Sequence, residues 1–266
     1  MCDRIGFRTI GYRRFSADVA IHRIAEVGYD GVEICLEHPG LEPEETDLLH
    51  ATALATVAAG AGVEIATISY HGDRDPLPIR WRRALQAIEL TSAMGSDILI
   101  INAPRPGPDT PDLAEQFLAQ LERQVEFAER LGITLAMEPE PGLLVHGNDD
   151  MLALIERMGS EHLRVNLDVG HAFLTEPDVP AAIRDLGDLI VAAHIEGMPA
   201  GEHRHLVPGE GDIDLPGVLA ALDEIGFDGW LTVDLFDIAD APDEAAEASL
   251  LRMRQLTQGK PPGSGD

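Results

Sequence analysis

The sequence predicts a single-domain (β/α)8 barrel, an α/β fold, on three observations. Eight short apolar runs of strand character alternate with helix-like stretches, one unit about every thirty residues. Glycine stands between many helix-like stretches and the next run, as in EVGYDGVEI, GAGVEI, AMGSDILI, RLGITLAM and EIGFDGWLTV. That is where a left-handed helix end favours it. Finally, no GxGxxG or phosphate-binding loop follows the first run, so a doubly wound dinucleotide-type sheet has no support.

The elements follow in order. IGFRTI at 5–10 leads to an amphipathic stretch at 17–27 with Ser16 placed to cap it. GVEIC at 31–35 leads to 44–59, VEIATIS at 63–69 to 79–94, and DILII at 97–101 to 112–131. Apolar residues recur at i, i+3, i+4 and i+7 in these stretches, the period of a helix with one buried face. TLAME at 134–138 precedes 149–158, capped by Asp149, and RVNLD at 164–168 precedes a shorter helix at 180–186. IVAAHI at 190–195 precedes 215–225, capped by Asp214; WLTVDL at 230–235 and a helix at 243–256 complete the set. The barrel is assigned to residues 1–258, and the Pro- and Gly-rich end, 259–266, to a disordered tail.

Composition narrows the function. Forty-seven acidic against nineteen basic residues give a net charge of -28. Nucleic-acid affinity rests on Lys and Arg neutralising phosphates, so a nucleic-acid partner is excluded. No run approaches the ~18 apolar residues a membrane span needs, and no apolar leader opens the chain, so the expectation is a cytoplasmic protein without a membrane partner. Cys2 and Cys35 are too few for a disulfide framework or a thiolate metal cluster. No GxSxG nucleophile elbow occurs.

Four of the strand-like runs end on a residue able to bind a metal: Glu138, Asp168, His194 and Asp234, spaced 30, 26 and 40 residues apart. In a closed parallel barrel the C-terminal ends of the strands converge on one face, so these four would surround one point. Two or three carboxylates with one imidazole make a hard, mixed site for a divalent ion, with manganese first and magnesium, cobalt or zinc as alternatives. Such an ion chelates the oxygens of a hydroxy-ketone and acidifies the neighbouring C–H. Further candidates at the same face are His71, which follows the third run, and Glu33, inside GVEIC, as a substrate-contacting carboxylate. The loop 196–214, longer than usual connections, carries His203, Arg204 and His205.

The motifs EPEPG at 138–142, LDVGH at 167–171, AHIEG at 193–197, HRHLVPGEGDID at 203–214 and DGWLTVDLF at 228–236 stand in an order that resembles the xylose-isomerase-like TIM-barrel superfamily. That superfamily holds sugar isomerases and epimerases, inosose dehydratases and endonuclease IV, and the resemblance covers residues 4–256. It implies metal ligands at Glu138, Asp168, His194 and Asp234. The last stands where the ketose 3-epimerases usually have Glu, one methylene longer. In those epimerases two metal-bound glutamates act on opposite faces of the substrate, so the resemblance makes Glu138 and Asp234 the catalytic pair, with Glu138 the better base. His171 matches a histidine that contacts substrate or, in endonuclease IV, a second metal. His205 matches a substrate-binding Arg of some epimerases. No histidine stands near INAPRPG, where the nuclease has a ligand.

The expectation is therefore a divalent-metal-dependent isomerase or epimerase of a sugar, keto-sugar or cyclitol. Glu138 and Asp234 are catalytic, Glu138, Asp168, His194 and Asp234 hold the metal, and His171, His205, His71, Glu33 and Arg204 bind a small polyhydroxylated substrate. A metal-dependent lyase or dehydratase on a similar substrate shares every residue, and a non-catalytic metabolite-binding barrel is the remaining alternative. The oligomeric state is left open, a homo-oligomer included.

Overall fold

The apolar runs read as continuous rather than alternating because each becomes a strand buried on both faces. The computed structural model describes residues 4–107, 112–238 and 240–258; the expected tail, 259–266, lies outside the described residues. The strands are β1 (Ile5–Arg8), β2 (Gly31–Cys35), β3 (Glu64–Ser69), β4 (Ile98–Asn102), β5 (Thr134–Glu138), β6 (Leu163–Asp168), β7 (Ile190–Ile195) and β8 (Trp230–Val233). All pair in parallel in sequence order, and β1 pairs with β8 to close the barrel. The helices are α1 (Ala17–Val27), α2 (Leu48–Ala61), α3 (Leu77–Met94), α4 (Leu113–Leu131), α5 (Asn148–Met158), α6 (Val169–Thr175), α7 (Val179–Leu186), α8 (Leu215–Glu224) and α9 (Pro242–Thr257). Among the described residues no helix is long and apolar enough to cross a membrane.

Local chemistry moves several boundaries. α2 begins at Leu48, not 44, because the Asp47 side chain accepts the His50 N–H at 2.7 Å and starts the helix there. Asp149 lies in the first turn of α5, where its charge suits the helix dipole, and Gly147 takes the cap position. Ser16 stands at the α1 cap without a capping bond, whereas Asp214 accepts the Gly217 N–H at 3.2 Å as expected. The strand expected at 5–10 ends at Arg8 and gives way to a 3-10 turn, Thr9–Tyr12. β8 ends at Val233, so Asp234 is the first residue beyond it. α6 was not expected: Asp168, the last residue of β6, caps it by accepting the His171 N–H at 2.7 Å.

Alternate residues of each strand face opposite sides, and the apolar ones fall into two clusters. The large one, with Phe7, Ile34, Leu99, Met137, Leu167 and Val233, fills the space between strands and helices; a small one, Ile100, Ala136 and Ala192, is separate. Two residues further along the same strands, the alternation that carries Ile100, Ala136 and Ala192 reaches Asn102, Glu138 and His194, all buried. Register sets neighbours at that end: Asn102 lies opposite Glu138, and Asp168 opposite His194.

The loop after β7 folds back through an antiparallel bridge between Gly197 and Leu206. A Cβ at Gly197 would overlap the backbone carbonyl oxygens of Val207 and Glu210, which have no side chain to swing away. Gly197→Ala therefore lowers stability by about 1–3 kcal/mol and displaces the segment carrying His203 and His205. Thermal unfolding checks the first expectation; an unchanged midpoint would show that the loop yields freely.

Candidate metal centre

The ends of β5 to β8 bring four side chains together. Glu138, Asp168 and His194 offer ligand atoms all within 4.8 Å of one another, and so do Asp168, His205 and Asp234. The Glu138 carboxylate accepts the Asn166 Nδ2–H at 2.6 Å through Oε2, which lies 3.0 Å from His194 Nδ1; its Oε1 lies 3.5 Å from His171 Nδ1. His194 Nδ1 is also 3.9 Å from Asp168 Oδ2 and from Asp234 Oδ2. Three buried polar atoms here, Asp168 Oδ2, His194 Nδ1 and Asp234 Oδ1, have no hydrogen-bond partner. Buried polar groups are normally paired. Orphaned oxygens and a nitrogen from three adjacent strand ends are what a divalent ion satisfies, so this donor set fits one.

His194 is already set for that role. Its Nε2–H donates to Glu33 Oε2 at 2.9 Å, which leaves Nδ1 facing the carboxylates, a donor to an ion once its proton is displaced. Glu33 is 0% exposed and is held in turn by Thr67 Oγ1 at 2.8 Å and Arg8 Nε at 2.9 Å. Glu33, expected as a substrate-contacting carboxylate, is fully buried and its partners in the structure are His194, Thr67 and Arg8.

Electrostatics in the metal-free cluster follow from this crowding. Burial opposes a charge on His194, yet Glu33 and Glu138 outweigh it and hold its pKa well above the usual histidine value. Burial likewise disfavours the Glu138 carboxylate, but His71 and His194 hold its pKa well below the ordinary range. Asp234 is lowered to about 2 because Arg8, His205 and His194 overcome its burial. Burial opposes a charge on His71, and Glu138, 3.7 Å away, pushes its pKa up to about 9.

Three imidazoles line the next layer. His171 Nδ1 donates to the Pro139 carbonyl at 3.2 Å, and its Nε2 is 3.0 Å from His203 Nε2. His205 Nδ1 donates to the Asp234 carbonyl at 2.9 Å, leaving Nε2 buried and without a partner. His171, His203 and His205 thus converge, with the Phe236 ring tilted against His205, centroids 4.8 Å apart. Burial and the two neighbouring histidines lower the His203 pKa. Arg204 does not join them: its exposed guanidinium lies 3.6 Å from Glu202. The side chain leaves the loop on the solvent side.

Two residues escaped the sequence reading. Arg8, buried on β1, reaches Asp234 and Glu33, each at 2.9 Å. Glu196, two residues past His194, accepts the Gly170 N–H at 2.5 Å; burial and then Asp168 and Asp234 keep its pKa well above the carboxylate range. A Cβ at Gly170 would meet Glu196 Oε1 and the end of Met198, so both side chains would have to shift. The available signal was AHIEG, a charged residue directly beyond a buried strand.

Residues 21–256 match the family model described as a xylose isomerase-like TIM barrel. The chain belongs to that family. It is 26% identical to fructoselysine 3-epimerase of Shigella flexneri over 95% of this chain and 98% of that enzyme. It is 28% identical to L-ribulose 3-epimerase of Mesorhizobium japonicum over 88% of this chain and 81% of that one. Among solved structures, D-allulose 3-epimerase from Methylomonas sp. superposes with a TM-score of 0.77 at 19% identity, covering 95% of this chain and 97% of that one. D-psicose 3-epimerase from Clostridium cellulolyticum H10 gives 0.77 at 17%, covering 95% and 99%. At these identities the structural likeness speaks for the fold.

Proposed function

We propose that this chain is a divalent-metal-dependent epimerase or isomerase of a free keto-sugar. The observation that carries the reading is the set of orphaned donors on Asp168, His194 and Asp234 beside Glu138. Relatives named as ketose 3-epimerases along nearly the full length support it, and weigh against the lyase alternative. Manganese is the ion of first choice, held by Glu138, Asp168, His194 and Asp234. When bound, it polarises the substrate carbonyl and lowers the pKa of the adjacent C–H.

The chain's own groups do the rest. Glu138 Oε1, on the side of its carboxylate facing His171, takes the proton from the carbon next to the carbonyl. Passed to the former carbonyl carbon it gives an isomer, and an epimer follows when Asp234, the other metal-holding carboxylate of the pair, supplies a proton from the opposite face. Asn166 and His71 hold the other oxygen in place. His171 and His205 bind substrate oxygens, and the wall they form with Phe236 excludes water from the sugar ring. With no membrane-spanning helix among the described residues, the cytoplasm is the proposed location.

The test is deuterium wash-in: protein loaded with Mn(II) is incubated in D2O with D-psicose, D-tagatose, L-ribulose or fructoselysine. Exchange at a carbon beside the carbonyl, with an epimer or isomer as product, is expected. An unsaturated product would move the assignment to the lyase, and absence of exchange in every ketose would remove the epimerase reading.

Metal uptake also carries a pH signature. The raised pKa of His194 means that the metal-free site is protonated at neutral pH, and the ion must displace that proton. Apparent affinity therefore rises with pH, by about tenfold per unit while one proton is displaced, and levels off above the raised pKa. Calorimetry in two buffers of different ionisation enthalpy should show close to one proton released; none released would mean that Nδ1 is not a ligand.

A further inference from the structure

The buried guanidinium of Arg8 has no role in the reading above, yet it reaches Asp234, Glu33 and His71 at once. Arg8 is 6% exposed and sits on β1, which barrel closure places beside β8. Its Nη1–H donates to Asp234 Oδ2 at 2.9 Å, and its Nε lies 2.9 Å from Glu33 Oε1 and 3.3 Å from Ser69 Oγ. Nη2 lies 3.3 Å from His71 Nδ1 and 3.7 Å from Cys35 Sγ. A guanidinium is a rigid fork, so one side chain fixes two carboxylates relative to each other. One of them is a proposed ligand, and the other holds His194 by its far nitrogen.

We infer that Arg8 is a positioning residue that makes an aspartate-terminated metal centre work, tying down one oxygen of Asp234 while bracing Glu33 behind His194. The inference rests on the metal-centre reading. With Oδ2 committed to Arg8, Oδ1 is the unpartnered oxygen of Asp234. Glu138 is held by a neutral donor instead: Oε2 accepts from the Asn166 amide, while Oε1 has only the nearby His171 ring. The charge matters as well as the fork. A cation beside a ligand oxygen withdraws part of that oxygen's donor strength and repels the ion, so the bound ion is the stronger Lewis acid. Other outer partners of a metal site raise ligand basicity, and losing them costs affinity. Arg8 acts with the opposite sign.

The experiment measures Mn(II) affinity of the full chain by chelator competition, with thermal unfolding alongside, for wild type, Arg8→Met, Arg8→Lys, Asp234→Asn and the Arg8→Met/Asp234→Asn pair. Arg8→Met is expected to bind Mn(II) at least about fivefold more tightly, because a like charge near the ion is gone, although the apoprotein melts lower. In the Asp234→Asn background that gain should shrink to under about twofold, since coupled residues are non-additive. Arg8→Lys keeps the charge but reaches one carboxylate, so it should hold wild-type affinity within about twofold while deuterium exchange into the responsive ketose falls about tenfold. Weaker Mn(II) binding in Arg8→Met, in step with its lower melting point, would make Arg8 a structural brace and overturn the inference. If Arg8→Met does not fold, Arg8→Lys decides: full exchange overturns the inference. Wild type that binds no Mn(II) overturns both the metal-centre reading and this one. Wild type that binds Mn(II) but exchanges no ketose removes only the epimerase reading, and the affinity comparison still decides Arg8.

Discussion

Replacing Asp168 by alanine should abolish metal binding and activity together, while leaving a folded barrel. Asp168 contributes in two ways that differ greatly in size. Its Oδ1 caps α6 by accepting the His171 N–H at 2.7 Å, and loss of a cap costs about 1 kcal/mol. Its Oδ2, buried and unpartnered, is a proposed donor to the ion and lies 3.9 Å from His194 Nδ1. Losing an outer partner of a metal site costs 10–100-fold in affinity, so losing a ligand should cost about a thousandfold or more. Wild type saturated with Mn(II) at a thousand times its Kd gains about 4 kcal/mol of stability. Asp168→Ala should lose that gain entirely and retain substoichiometric metal after gel filtration. Full metal content in the variant would show that the ion, if there is one, is held elsewhere.

Three of the four proposed ligands stand out in the sequence for a physical reason. Glu138 and Asp168 end their strands and His194 is the last but one of its strand, and an ionisable residue at the end of a mostly apolar, buried strand is conspicuous. What could not be read was direction and closure. Glu33 stands out equally inside GVEIC, but only the pairing of β2 with β1 and β3 shows that its carboxylate turns under His194. Arg8 was hidden in IGFRTI as one more residue of a first strand. Its partner Asp234 lies 226 residues away, and no local pattern announces a contact made by closing the barrel. Arg204, next to two mouth histidines in sequence, drew attention that its exposed position does not support. α6 was missed because its start signal, Asp168, had already been assigned to the metal; the residue caps the helix through Oδ1 and keeps Oδ2 unpartnered.

Glu138→Gln separates binding from proton transfer more cleanly than any other change in the cluster. Glutamine has the same shape, and with its amide oxygen toward Asn166 Nδ2 the 2.6 Å hydrogen bond is kept. Lost are the proton acceptor at Oε1 and one negative charge. General-base catalysis is worth about 10²–10⁴-fold, so deuterium exchange should fall by that factor with Mn(II) still bound, though less tightly. The metal-free protein adds an independent readout. In wild type, Glu138 pushes the His71 pKa up to about 9. A raised histidine pKa stabilises the fold fully below the unfolded value of about 6.5, and that stabilisation is lost as pH rises through about 9. Glu138→Gln removes its cause, so the melting-point gap between wild-type and variant apoproteins should be widest near pH 6 and narrow by pH 10. The same window excludes a trivial explanation, since a variant that had merely lost packing would melt lower by an equal amount at every pH. Exchange within tenfold of wild type, with metal retained, would move the base to Asp234 despite its bond to Arg8.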